Sequence, residues 1–334
     1  MPLVLPRMPR PSRRRVLRGL VAGLVVLGVL LWWLWPFGKT ELPGELTFST
    51  GVRTGVYHRY GALLEQALAR DIPEVDVRLL PSEGSQENLE RVASGKAAFT
   101  VATADAVAKY RQDGKPGADG LRGVARLYDD YVQLVVPAGS PVQSARDLRG
   151  KRVAVGQPGS GVRLIAERLL TAAKLDPRRD VTEVSIGIDT MPAELEAGRI
   201  DAFFWSGGLP TNAVRELSDR FEIRLVPLGD LVPELQGSGS PARHYRAAVM
   251  PQDAYARARN TSAVTTLAVP NLLVTTERTS PELTERFTRT VIFSRDDIGR
   301  EVHAAQRVDL RTAIYTDPLE LHEGARRYYR SVKP

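Results

Sequence analysis

The chain contains no cysteine. That absence excludes disulfides, thiolate-ligated zinc, a thiol nucleophile and a lipid-modified cysteine anchor. Histidine is scarce, with only His58, His244, His303 and His322. None has a second His or Cys at metal-ligand spacing. No G-x-x-x-x-G-K-[ST] loop occurs. Ser160 lies in Pro158-Gly159-Ser160-Gly161-Val162, which is not a nucleophile elbow. Gly156-x-x-Gly159-x-Gly161 is spaced wrongly for a dinucleotide fingerprint. No catalytic residue, metal or cofactor is therefore expected. Without disulfides the fold rests on its core alone, and about 290 residues are enough to bury one.

Acid is missing from the first 39 residues, which hold Arg7, Arg10, Arg13, Arg14, Arg15, Arg18 and Lys39. Removing these seven bases from the total of 46 leaves 39, matched by 39 acids. The body is thus formally neutral, and the basic pI is no argument for nucleic-acid binding. Residues 19–37 carry no charge and include Trp32, Trp33 and Trp35. At about 1.5 Å per residue that run spans a bilayer core. The arginines place residues 1–18 in the cytoplasm. Ser12-Arg13-Arg14-Arg15-Val16-Leu17-Arg18 also resembles a twin-arginine export signal. No Ala-x-Ala-like site follows Phe37, so an uncleaved single-pass anchor in the cell membrane is expected, with the body outside the cytoplasm.

Beyond a linker at 40–45, short β-type runs alternate with helical patterns. Strands are expected at 46–50, 75–80, 98–102, 131–136, 152–156, 181–185, 201–204 and 223–227. Helices are expected at 57–70, 84–94, 103–110, 161–174, 189–197 and 209–219, with three more at 280–293, 297–307 and 317–331. The alternation implies α/β architecture with mainly parallel sheets. Val136-Pro137-Ala138-Gly139-Ser140-Pro141 reads as a crossing between two lobes. Lobe I is expected over 45–137 plus about 250–334, and lobe II over 138 to about 249.

Two Gly/Ser/Thr-rich turns each join a strand to a helix. They are Ser49-Thr50-Gly51-Val52-Arg53-Thr54-Gly55-Val56-Tyr57 and Gly156-Gln157-Pro158-Gly159-Ser160-Gly161. Helix N-termini leave N–H groups unpaired and favour anions, and glycine admits a ligand close to the backbone. Ser82-Glu83-Gly84-Ser85 and Ser206-Gly207-Gly208 add two more polar βα turns. Each alone reads as an ordinary cap or loop. Together they stand at strand C-termini, where open α/β sheets bind ligands. The pair Asp129-Asp130 reads as a solvated strand edge.

The order of these motifs resembles the TAXI family, the extracytoplasmic solute-binding proteins of one branch of tripartite ATP-independent periplasmic (TRAP) transporters. The resemblance runs through Gly55-Val56-Tyr57-His58-Arg59-Tyr60-Gly61, Ser82 to Leu89, Gly95 to Asp105 and Gly156 to Gly161. It continues through Gly198-Arg199-Ile200-Asp201-Ala202-Phe203-Phe204 with Gly208-Leu209-Pro210, then Val269 to Thr275, and closes with Pro318 to Tyr329. It covers about residues 45–330. It implies a type II periplasmic-binding-protein fold, two α/β lobes joined by a hinge, with a glutamate-like amino acid or dicarboxylate in the cleft. It also implies permease subunits of a TRAP-type transporter as partners. By position, Thr50, Gly51, Thr54 and Tyr57 would face the ligand from the first turn. Ser85 and Asn88 would do so from the third helix start, Ser160 and Gly161 from lobe II, and Ser206 and Gly207 from the last turn. Arg53, Ser82, Glu83 and the pair His58-Arg59 depart from the family pattern and leave the ligand open. An anchored ligand sensor reporting to a separate partner is the alternative. An enzyme on the same fold is disfavoured by the missing nucleophile and metal spacing.

Overall fold

The computed structural model describes residues 44–332, together with residues 23–27 and 29. Most of the expected anchor, 19–37, and all of 1–18 lie outside the described residues. Residues 23–27 and 29 are helical, and Leu24, Val25, Val26, Leu27 and Val29 are exposed. Among the described residues no helix is long and apolar enough to cross a membrane. The chain divides into one unit at Met1–Glu41 and another at Leu42–Pro334. The second carries the fold described below.

It opens with three βα steps: β1 (Glu45–Ser49), α1 (Val56–Asp71), β2 (Asp76–Leu80), α2 (Ser85–Ser94), β3 (Phe99–Thr103) and α3 (Ala104–Gln112). β1 lies between β2 and β3, parallel to both. Every residue of β3 is buried, as a strand covered on both faces requires. A 17-residue strand, β4 (Leu121–Pro137), follows. A second βα series holds β5 (Arg152–Ala154), α4 (Gly161–Ala172), β6 (Thr182–Val184), α5 (Met191–Glu196), β7 (Ala202–Gly207), α6 (Asn212–Arg220), β8 (Ile223–Val226) and α7 (Val232–Gln236). The chain returns through β9 (Arg246–Met250) and β10 (Val264–Thr276) to α8 (Pro281–Phe293), α9 (Arg295–Gly299) and α10 (Glu323–Ser331).

The sheet order is β2-β1-β3-β10-β4-β7-β5-β6, with β8 on β4 and β9 on β10. The sheet is mixed rather than mainly parallel. β10 runs antiparallel to β3, β4 and β9, and β4 runs antiparallel to β7 and β8. β4 and β10 tie two cores together. Val124, Ala125, Leu127 and Tyr128 of β4 pack with α1, α8 and α10, whereas Val132, Leu134 and Val136 pack with α4 and α7.

Further expectations change. The strand expected at 131–136 is only the second half of β4, and β9 was not expected. Charges mask the alternation of the first half, but they are neutralised locally: Arg126 and Arg246 pair with Asp129, and Arg122 with Glu277. The crossing expected at 136–141 falls at the end of β4. Pro137 pairs with Ile223, Val136 and Val142 share one cluster, and along β4 the cluster joined changes between Tyr128 and Val132. The helices expected at 297–307 and 317–331 are shorter. The first splits into α9 and a 3-10 turn at His303–Arg307. The second begins only at Glu323, because residues 320–322 bond to β4. Gly123 N–H donates to the Glu320 carbonyl, and His322 N–H donates to the Gly123 carbonyl, both at 2.8 Å. A Cβ at Gly123 would come within 2.4 Å of Thr316, so only glycine admits this approach.

Candidate functional site

The turn after β1 leaves the sheet at Gly51 and enters α1 through Gly55, an extended N-cap with no side-chain cap of its own. Val52, Val56 and Tyr57 face a narrow cavity of about 60 Å³. Across from them stand Gly156, Gln157, Ser160, Gly161 and Val162 from the turn between β5 and α4. Glu83, Gly84 and Ser85 close one side, and Trp205, Ser206 and Gly207 of β7 close another. Ile188 and Met191 add apolar wall, and Thr103 and Asp130 line the cavity from β3 and β4.

Seven of the expected ligand residues meet here: Gly51, Tyr57, Ser85, Ser160, Gly161, Ser206 and Gly207. Three do not. Thr50 is buried outside the lining, with Oγ1 3.2 Å from His58 Nδ1. Asn88 lies behind the turns. Its Oδ1 accepts from Ser49 and Ser82, each at 2.7 Å, and its Nδ2 donates to the Val101 carbonyl at 2.9 Å. It ties β1, β3 and the β2–α2 turn together. Thr54 is exposed in a neighbouring groove beside Arg53 and Arg59.

Two anion positions expected from helix geometry are already occupied by the protein. The N–H groups of Gln86 and Glu87, at the start of α2, donate to the Gly159 carbonyl at 3.0 and 3.1 Å. The turns touch across Gly84 and Gly161, and Gly161 leaves the less room for a side chain. A Cβ at Gly84 would stand 3.4 Å from Ser160 Cα, and one at Gly161 would stand 3.0 Å from Ser85 Oγ. Gly84 also has φ of 133°, a conformation that favours glycine. The Ser160 hydroxyl caps α4, accepting from Arg163 N–H at 3.1 Å and donating to the Gln157 carbonyl at 2.7 Å. Ser85 differs. Its hydroxyl accepts from Thr103 N–H at 3.2 Å and lies 3.3 Å from the Tyr57 hydroxyl, which donates to Asn271 Oδ1 at 2.5 Å.

The residue that sequence reasoning missed is Asp130. It is not a solvated edge but 3 % exposed, on the face of β4 opposite Asp129. Burial pushes its carboxyl up to about 7, with Asp129 and Asp105 adding to the rise. The Asn271 amide and Ser206 hydroxyl facing it oppose the rise. Burial, with Asp130 adding, also raises the Tyr57 phenol well above its ordinary value. Among the described residues Asp130 Oδ1, Ser206 Oγ and Asn271 Nδ2 are buried and make no close hydrogen bond, although the Asn271 amide and the Ser206 hydroxyl both face the Asp130 carboxyl. The only local sign of this in the sequence is a second acid next to the first. Asn271, also missed as a site residue, comes from β10. Among the described residues no Lys, Arg or His lines the cavity. The arrangement offers apolar walls, a few hydroxyls and one buried carboxyl, a set suited to holding a small amphipathic molecule.

Solved structures share the fold at low identity. An alkanesulfonate-binding protein, SsuA from Xanthomonas axonopodis pv. citri bound to MOPS, is 18 % identical with a TM-score of 0.50, covering 88 % of this chain and 86 % of its own. An ancestral arginine-binding protein bound to arginine is 15 % identical with a TM-score of 0.51, covering 78 % and 99 %. A protein from Bordetella bronchiseptica RB50 is 16 % identical with a TM-score of 0.52, covering 87 % and 90 %. These likenesses establish an α/β fold of the periplasmic-binding-protein type. A sequence profile of the NMT1-like family matches residues 48–332, which is nearly all of the folded unit. The chain belongs to the NMT1-like family.

Proposed function

We propose that this protein is an extracytoplasmic solute-binding protein that captures a small carboxylate or amino acid between two lobes and delivers it to a TRAP-type transporter. The carrying observation is the cavity itself. Turns from both βα series line it, and polar groups without partners remain on its floor. Lobe I comprises 45 to about 130 and about 270–332, and lobe II the residues between, with β4 and β10 as the hinge strands. The exposed apolar helix at residues 23–27 and 29, within a 19-residue uncharged run, supports tethering to the membrane. The motif order over 45–330 supports the TAXI reading, and with it TRAP-type permease subunits as partners. Solute binding closes the lobes through contacts from both sides.

The test is thermal unfolding of the full chain in detergent with amino acids, keto acids, sulfonates and dicarboxylates. A solute at a hundredfold excess over Kd adds about 2.7 kcal/mol of stability. A panel that leaves the midpoint unmoved removes the proposal. Recovery of a multi-spanning permease of another transporter class with the protein removes the TRAP assignment alone.

A further inference from the structure

Beside the cleft cavity lies a wider groove of about 480 Å³, and Gly55, Val56, Ile188 and Trp205 wall both. Leu209, Pro210, His303 and Ala304 carry this groove on into a second one of about 320 Å³, beside Asp129 and Arg307. Together they run from the turn after β1, along the turn between β7 and α6, to the end of the 3-10 turn at His303–Arg307. The charges along this path are unbalanced. Its acids are Glu301 and Asp129, and both are taken: Glu301 pairs with Arg59, and Asp129 pairs with Arg126 and Arg246. Arg53, Arg215 and Arg307 also line the path, are exposed, and have no ion-pair partner among the described residues. Asp219, one turn along from Arg215, faces Arg257 instead. Neither α1 nor α6, which both start in the wider groove, has an acid in its first turn to offset these cations. Burial, with Arg53 adding, holds the nearby His58 below the ordinary histidine value, as an uncompensated cation does. Arg53 also departs from the TAXI pattern, so the resemblance gives it no role.

We propose that this path is a docking surface for an extended acidic segment of a partner protein. Guanidinium groups are suited to carboxylates, and three of them along a continuous groove match carboxylates repeated along a chain. Arg53 and Arg215 lie in the first groove and Arg307 in the second, so an occupant that meets all three has to span both. Between them Leu209, Pro210 and Ala304 offer apolar contact to the other side chains of the segment. The surface is distinct from the cleft and independent of the solute-binding reading.

Calorimetry on the full chain in non-ionic detergent at low ionic strength tests this with acetylated hexaglutamate amide, the matching hexaglutamine, and citrate. Hexaglutamate binds, and its binding weakens as salt is added. Hexaglutamine does not bind, and citrate, too compact to use every contact at once, binds about tenfold more weakly or worse. Arg53→Gln, Arg215→Gln and Arg307→Gln each weaken hexaglutamate about two- to fivefold, the usual effect of losing one exposed ion pair, and the triple variant weakens it about tenfold or more. Arg257→Gln, outside both grooves, leaves the affinity unchanged. These arginines are all exposed, so the variants unfold at the wild-type midpoint. No binding of hexaglutamate, equal binding of hexaglutamine, or a triple variant that binds like wild type overturns the proposal. Citrate binding as tightly as hexaglutamate overturns it in favour of a small-anion site. Each of these outcomes leaves the solute-binding reading standing.

Discussion

The side-chain amide of Gln86 donates to the Ser160 carbonyl at 2.7 Å, joining the start of α2 to the turn before α4. The cleft is therefore shut by the protein's own turns, with the Gly159 carbonyl seated on the α2 N-terminus. Gln86→Ala removes one bond of this closed form. Solute Kd should rise about fivefold, near 1 kcal/mol, with little change in the unfolding midpoint because the backbone bonds remain. Titration calorimetry reads this directly. An unchanged Kd would mean that the contact does not belong to the bound state.

The two serines at glycine-rich helix starts separate by role. Ser160→Ala removes a helix cap and should lower stability by about 0.5–2 kcal/mol without altering Kd. Ser85→Ala removes a hydroxyl that holds Tyr57 beside the cavity, and should weaken solute binding by about 1 kcal/mol or more. Urea unfolding and calorimetry on both variants decide it, and a reversed pattern would exchange the roles.

Asp130 makes the empty protein pH-sensitive in a defined direction. Its folded pKa stands near 7, above the ordinary 3.8, with Asp129, Asp105, Tyr57 and Tyr128 as the titratable groups around it. A raised carboxyl contributes stability that is complete below the unfolded pKa and is lost as pH rises through the folded one. The loss amounts to something on the order of 4 kcal/mol across that window. His244 and His322, both held below the ordinary histidine value chiefly by burial, act oppositely as pH falls. The difference between wild type and Asp130→Asn isolates the carboxyl. That difference, measured by urea unfolding, should favour wild type near pH 4 and the variant near pH 8. A difference independent of pH refutes the assignment.

Asp105, fully buried at the start of α3, accepts from the Tyr245 hydroxyl at 2.7 Å and from Arg168 of α4 at 3.3 Å. This contact links α3 to α4 and to Tyr245, just before β9. Arg168→Ala leaves the carboxylate uncompensated and should cost about 3–5 kcal/mol. Adding Asp105→Asn should restore part of that loss, because the stranded charge is gone. Unfolding free energies for the single and double variants give the coupling, and simple additivity would show that the two charges do not interact.

Features that depend on neighbours along the chain are legible in the amino-acid order. The βα rhythm and the starts of α1, α2 and α4 follow from alternation, glycine and caps, while the seven residues that meet at the cavity are picked out by the resemblance in motif order. Features that depend on distant partners emerge only when the chain is packed. The antiparallel pairing of β4 with β10 joins segments far apart in the chain, and burial of whole faces, not local propensity, selects it. That pairing brings Asn271 beside Tyr57 and turns Asp130 inward. Contacts with β1, β3 and the β2–α2 turn make Asn88 a brace, although it looked like a ligand group by position, and Ser160 is a cap through its own neighbours Gln157 and Arg163. The charge state of Asp130 lies furthest from the sequence, because a carboxyl's pKa is a property of everything packed around it and of almost nothing next to it in the chain.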